Sequence, residues 1–124
     1  MRCARKERQV RSRYGSKKVE SHGHKFDSKK ERDRYLELLM LLRTGDIEDL
    51  VLQPRFEIFK TVRYRGETMA KRSYVADFQY YEVATGETVV EDVKSPPTRI
   101  KDLYRLKRQM FLGQYGDQFK FVET

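Results

Sequence analysis

Asp77, Asp92 and Lys94 are the residues whose types and spacing can do chemistry in this sequence. Residues 73–83 are rich in Tyr, Val and Phe, and residues 88–94 are rich in Val. Both read as strands. Between them Ala84-Thr85-Gly86-Glu87 reads as a hairpin turn, with glycine supplying a positive φ. A two-residue Thr85-Gly86 loop, or a four-residue loop of the same register, makes Asp77 face Lys94 and Gln79 face Asp92. Opposed residues in an antiparallel pair share a face. Period 2 adds Asp92 to that face and leaves Val93 on the other. The carboxylates become diagonal neighbours, with Cβ atoms roughly 5–8 Å apart.

Two carboxylates this close repel unless a proton or a cation intervenes. An oxygen-only site with few protein ligands suits Mg²⁺, which keeps several waters and takes phosphate oxygens from its substrate. A metal-bound water loses its proton more readily, and the metal stabilises charge on phosphorus. A neighbouring lysine can hold that water and offset phosphate charge. These parts suffice for phosphodiester hydrolysis. The same residues also read as the polar outer face of a half-solvated hairpin, with Asp77 and Lys94 as a cross-strand ion pair. A one-residue slip of register would turn them to the other face.

The elements that must position them are short. Ser28-Lys29-Lys30-Glu31 fits a capping box, with Asp27 as the rival cap. Tyr35, Leu36, Leu38, Leu39, Leu41 and Leu42 form a helical stripe, and Gly45 ends the helix near Thr44. Glu31 lies at the end of the stripe that should pack on a sheet, so its carboxylate could reach a metal there. Its other role is the capping box. Residues 50–52 and 56–59 read as strands around Pro54, and Arg65-Gly66-Glu67 as a turn. Pro96-Pro97 stops the strand of residues 88–94. Residues 99–115 read as a second helix with Ile100, Leu103, Leu106, Met110 and Phe111 as its apolar stripe. Gly116 ends it, and residues 119–122 form a last strand. This order predicts an α/β (α+β) chain, an antiparallel-rich mixed sheet with two main helices packed on it.

Charge is unevenly placed along the 124 residues. Residues 1–25 carry nine Lys/Arg against two Glu, and the other 99 carry 18 basic against 17 acidic residues. The sequence therefore divides into a basic arm, 1–25, and a nearly neutral domain, 26–124. The arm has no clear period and is expected to be flexible, ending in a short turn or strand near residues 19–26. It suits a polyanionic partner held through phosphates, or it serves as a solubilising tail. The single cysteine, Cys3, excludes a disulfide framework and a Cys-cluster zinc site. The longest apolar stretch, 38–42, is far short of the roughly 18 residues a membrane span needs. No apolar segment follows the basic N-terminus as a secretory signal requires. The expected setting is cytoplasmic, without a membrane. His22 and His24 flank Gly23 and lack further local ligands, so they read as loop histidines.

Tyr74-Val75-Ala76-Asp77-Phe78, a hairpin, then Val90-Glu91-Asp92-Val93-Lys94 resembles the PD-(D/E)xK nuclease signature, with Ala76 in place of the proline. Glu31 matches the acidic residue that many members carry on their first core helix. The wider run is more specific: Lys17-Lys18-Val19-Glu20, then Phe26 to Glu31, then Leu52-Gln53-Pro54-Arg55-Phe56, and the hairpin followed by Thr98, Tyr104 and Lys107. That run resembles a family of small phage and prophage proteins, long catalogued as a domain of unknown function and placed in this nuclease superfamily. The resemblance covers about residues 14–122.

It implies a restriction-endonuclease-like core and Mg²⁺-dependent DNA cleavage, with Mn²⁺ as a substitute. Asp77, Asp92 and the Val93 carbonyl would bind the metal. Lys94 would position the attacking water, and Glu31 would bind or orient a second metal or water. By analogy with phage enzymes that act as dimers in a bacterial host, a Holliday-junction resolvase-like activity on branched DNA is the sharpest version, and a homodimer is left open. No small-molecule cofactor is implied. Lys101, Lys107 and Arg108, with Arg105, could contact phosphates from the second helix or form its solvated face. Lys17 and Lys18 belong to the basic arm. Gln53 could approach the site or be a buried amide bonded to backbone. Thr98 could contact a phosphate or cap the second helix. The competing expectations are a non-catalytic nucleic-acid-binding module of the same fold and a phage protein that modulates a host protein.

Overall fold

A computed structural model describes residues 19–99 and 101–124. The chain divides into two compact units between Leu36 and Glu37.

In the N-terminal unit β1 (Val19–Ser21) and β2 (His24–Phe26) pair antiparallel, with Val19 across from Phe26. His22 and Gly23 join them with φ of 50° and 81°, the two positive values a type I′ turn requires. The short strand expected near residues 19–26 is this hairpin. The helix α1 (Lys29–Thr44) follows. The Ser28 hydroxyl accepts the Glu31 backbone N–H at 3.1 Å, so Ser28 caps the helix. Tyr35 is buried. The rings of Phe26, His24 and His22 surround it at centroid distances of 5.0, 5.6 and 6.0 Å. Both histidines are thus packing partners of an aromatic ring.

In the second unit α1 closes on a left-handed Gly45, φ 87°. The N–H groups of Gly45 and Asp46 bond the carbonyls of Leu42 and Leu41 at 3.2 and 2.9 Å. This is the Schellman pattern, and the positive φ is why glycine stands there.

A four-stranded mixed sheet follows, built from β3 (Ile47–Leu52), β8 (Phe78–Glu82), β9 (Glu87–Asp92) and β10 (Lys120–Glu123) in the order β10-β9-β8-β3. Its internal pairs are antiparallel except β9 with β10, which run parallel. A parallel neighbour needs a crossover. Here α2 (Pro96–Arg99) and α3 (Asp102–Tyr115) supply it. Between β3 and β8 the chain runs out and back as a ribbon. β4 (Arg55–Phe59) pairs with β7 (Arg72–Val75), and β5 (Val62–Tyr64) pairs with β6 (Glu67–Met69).

The core of this unit is aromatic. Phe56, Ile58, Tyr74, Ala76, Val90, Tyr104 and Phe111 are buried together, with Tyr115, Phe119 and Phe121 packed against them. Phe111 is fully buried and meets Phe56 at 4.9 Å, Tyr74 at 5.1 Å and Tyr115 at 5.4 Å between centroids.

The α+β class, the mixed sheet and the two main helices are as the sequence predicts, and three details are corrected. The strand expected over 73–83 breaks at Ala76-Asp77 into β7 and β8. Pro96-Pro97 does not merely stop a strand, because Pro96 opens α2, a position that tolerates its missing N–H. The expected second helix is α2 followed by α3; of its expected stripe Phe111 is buried and Met110 packs against the core, while Leu103 and Leu106 stay 66% and 51% exposed and Tyr104 is buried instead. The side of α3 that meets the aromatic β4–β7 pair is the buried one. Ile100 lies outside the described residues.

Candidate active site

The hairpin that carries Asp77 and Asp92 has a four-residue loop, 83–86, flanked by the pair Glu82–Glu87. Gly86 holds a φ of 73° and its N–H bonds the Glu82 carbonyl at 2.9 Å. The ladder pairs Phe78 with Glu91 and Gln79 with Val90. The expected facing of Gln79 with Asp92 is therefore wrong by two residues. One step beyond the ladder, the same count sets Asp77 across from Asp92, not across from Lys94. A two-residue slip preserves which side each residue takes, so the predicted sharing of one face survives the error.

Local bonding then gathers the three side chains. The strand breaks at Asp77, whose N–H bonds the Glu91 carbonyl at 3.2 Å. Its carboxylate accepts the Val93 backbone N–H at 2.7 Å. Gln53 secures the break from the other side. It holds φ 52°, and its N–H bonds the Asp77 carbonyl at 2.9 Å. Such a φ is uncommon outside glycine. The Gln53 side chain itself is exposed, which excludes a buried amide.

Lys94 bridges the carboxylates. Its Nζ lies 2.6 Å from Asp92 Oδ1 and 3.7 Å from Asp77 Oδ2. These two oxygens are therefore no farther apart than the sum of those distances. The Tyr74 hydroxyl donates to the other oxygen of Asp92. Asp92 is fully buried, whereas the side chains of Asp77 and Lys94 retain 13% and 23% exposure. The cluster thus opens to solvent on its Asp77–Lys94 side. Lys94 also stands 5.6 Å from the centre of the Tyr104 ring. The Tyr104 hydroxyl donates to Glu123, whose carboxylate accepts Arg108 at 2.9 and 3.1 Å.

Burial, and then the Asp92 carboxylate, push the Tyr74 phenol far above its ordinary range. Burial, and then the hydrogen bond to Glu123, do the same to Tyr104. Both remain neutral donors at any working pH. The Glu123 contact raises Arg108 further.

Asp77, Asp92, Val93 and Lys94 are therefore brought together. Glu31 belongs to the N-terminal unit, buried in the first turn of α1. Lys101 takes the N-cap position of α3, and its side chain makes no capping bond. Lys107 is half-buried on α3. Arg108 is engaged with Glu123 and, at 5.5 Å, with the Tyr104 ring. Lys17 and Lys18 lie outside the described residues, as does the side chain of Thr98.

Sequence reasoning gave no site role to three carboxylate partners. Tyr74 stands in the sequence only as part of the strand that leads to Asp77. Glu91 is fully buried and held by the Tyr80 hydroxyl at 2.7 Å and Thr124 Oγ1 at 2.9 Å. Glu123 pairs with Tyr104 and Arg108. The available signal was the number of tyrosines in and beside acidic strands, since a buried phenol seeks an acceptor.

Asp77 and Asp92 form an all-oxygen donor set, the kind a hard divalent cation takes. Among the described residues no group of three or more His, Cys, Asp or Glu side chains is placed to hold a metal ion. The protein's share of a Mg²⁺ shell would be these two carboxylates and main-chain oxygen, which fits an ion that retains water and binds substrate phosphate. Lys94 already supplies positive charge between them.

A family model described as a protein of unknown function (DUF1064) matches residues 11–123. The chain belongs to this family. No curated protein and no solved structure matches the chain. The DUF1064 match takes in Tyr74, Asp77, Asp92 and Lys94, together with all the described residues except Thr124. No helix among the described residues is long and apolar enough to cross a membrane.

Proposed function

We propose that the chain is a Mg²⁺-dependent DNA endonuclease with a restriction-endonuclease-like core, acting in phage DNA metabolism. The observation that supports this reading is the convergence of two carboxylates on one lysine ammonium at a solvent-reached strand break. Asp77 and Asp92, with the Val93 carbonyl, would hold the cation. Mg²⁺ supplies, when bound, stabilisation of phosphate charge and acidification of water. Lys94 orients the attacking water and offsets charge on the scissile phosphate. Tyr74 fixes the Asp92 carboxylate in one orientation, as outer-shell donors do for metal-binding carboxylates.

A second reading has its own observation. The Lys94 ammonium already offsets one of the pair's two negative charges, which suits a non-catalytic DNA-binding module of the same fold. One gel assay separates the two. Wild type and Asp92→Asn are incubated with labelled four-way junction, linear duplex and single strands, in Mg²⁺, Mn²⁺, Ca²⁺ or EDTA. The nuclease reading expects cutting in Mg²⁺ or Mn²⁺, with the junction cut best, and at least a hundredfold loss in the variant. Binding without cutting in every metal would transfer the assignment to the binding module. Neither binding nor cutting would favour a protein modulator.

A further inference from the structure

The ribbon β5–β6 extends from the pair β4–β7 and takes no part in the core. All six residues of these two strands are exposed. Arg65 and Gly66 close it with φ of 51° and 77°, a type I′ turn that holds two strands in tight register. Val62 pairs with Met69, Arg63 with Thr68 and Tyr64 with Glu67. Opposed residues share a face, so Val62, Tyr64 and Met69 stand together, 50%, 54% and 46% exposed, with Glu67 beside Tyr64 and with Arg63 and Thr68 on the other face. The Arg65 guanidinium lies 5.2 Å from the centre of the Tyr64 ring. Across residues 60–72 the cations Lys60, Arg63, Arg65, Lys71 and Arg72 face one acid, Glu67.

An apolar face left in solvent marks a contact surface. Its surround here identifies the partner. A second copy would bring the same excess of cations against this one. A polyanion gains from them, and Tyr64 with Met69 supplies apolar surface for base edges and thymine methyl groups. The major groove of B-form DNA, about 12 Å wide, admits a two-stranded ribbon. The deep, narrow major groove of A-form RNA does not.

We infer that the 60–72 ribbon is a duplex-DNA-binding arm, seated in the major groove with its cations on the flanking phosphates. As a statement of substrate class the inference rests on the nuclease reading above. The backbone also sets its reach. From Asp77 to Gly66 the chain can extend at most about 36 Å at ~3.3 Å per residue, close to one turn of B-DNA. The arm therefore touches DNA within about one helical turn of the phosphate at Asp77.

The test measures binding in EDTA, where cutting is not read. The full chain is titrated onto a labelled duplex of about three helical turns, by anisotropy, across a salt series. The variant is Arg63→Gln/Arg65→Asn/Lys71→Gln. Asn is chosen because it keeps a type I′ turn in front of Gly66. Tyr64→Ser is a second variant that leaves every charge in place. The expected result is at least a tenfold weaker Kd for the triple variant, with the slope of log K against log salt smaller by about two to three. Tyr64→Ser weakens binding with the slope unchanged, and duplex RNA of equal length competes poorly.

Wild-type affinity and slope in the triple variant would overturn the inference. So would a shift of the variants' monomer–dimer equilibrium in sedimentation with DNA affinity unchanged, or preferential binding of wild type to anionic vesicles. The two readings fail separately. A wild type that binds through the ribbon but never cuts in Mg²⁺ defeats the nuclease alone. Cutting that survives the triple variant with unaltered affinity defeats the arm alone.

Discussion

Tyr74 decides how well Asp92 is held. A buried carboxylate must be hydrogen-bonded, and Asp92 takes its donors from Tyr74 and Lys94. Tyr74→Phe should cost about 1.5–3 kcal/mol, the range for a hydrogen bond to a charged group, read as a lower urea midpoint. Cleavage should fall as well, because the freed carboxylate oxygen can turn. The pH dependence has a definite sign. Tyr74 ionises near 10.0 when unfolded and well above that when folded. Its contribution to stability is therefore complete below pH 10 and is lost as pH rises beyond it. Wild type should lose stability above about pH 10, and Tyr74→Phe should lose it less steeply. Which residues would converge was legible from strand parity, because the register differs from the expected one by two residues and an even shift keeps each side chain on its face. The partners of Asp77 and Asp92 were not, because the four-residue loop begins at Val83, one residue earlier than its turn residues suggest, where Gly86 N–H closes on the Glu82 carbonyl.

Among the elements, α1 could be read at both ends because its signals are local. Ser28 lies three residues before Glu31, and Gly45 follows the last periodic residue. The orientation of α3 could not be read the same way. Of the expected stripe Met110 and Phe111 pack, but Leu103 and Leu106 give way to Tyr104, and that choice is made by Phe56, Ile58 and Tyr74 on other strands. Phe111→Ala should therefore destabilise by about 3–5 kcal/mol, whereas Leu106→Ala should stay within about 0.5 kcal/mol of wild type. Denaturant melts of the two variants compare them directly. Equal losses would show that the leucine stripe is the packed one. The ribbon strands escaped sequence reading for a related reason. At three residues each they are too short for the Val62-Arg63-Tyr64 alternation to mark a strand, and only the turn at Arg65-Gly66 was visible.

At the scale of the whole sequence, positive charge is concentrated in three stretches: residues 1–25, the 60–72 ribbon, and residues 99–108, where five Lys/Arg stand against Asp102. Residues 1–25 and the 60–72 ribbon together exceed the net charge of the chain, so the remainder is acidic on balance. Removing residues 1–13, with six Lys/Arg and one Glu, should weaken binding to every DNA alike and flatten its salt dependence. Neutralising the ribbon should discriminate duplex from single strand. Competition titrations with both substrates make that distinction.

Lys94 gives the protein a counter-ion of its own. With its ammonium between Asp77 and Asp92, the carboxylates can come together without another cation. On the proposed reading, folding and cation loading would be separable, and a divalent cation would enter where the Lys94 ammonium already stands. EDTA should leave the melting temperature nearly unchanged. Lys94→Met should make the empty protein less stable and, at the same time, more avid for divalent cations, turning a metal-tolerant fold into a metal-dependent one.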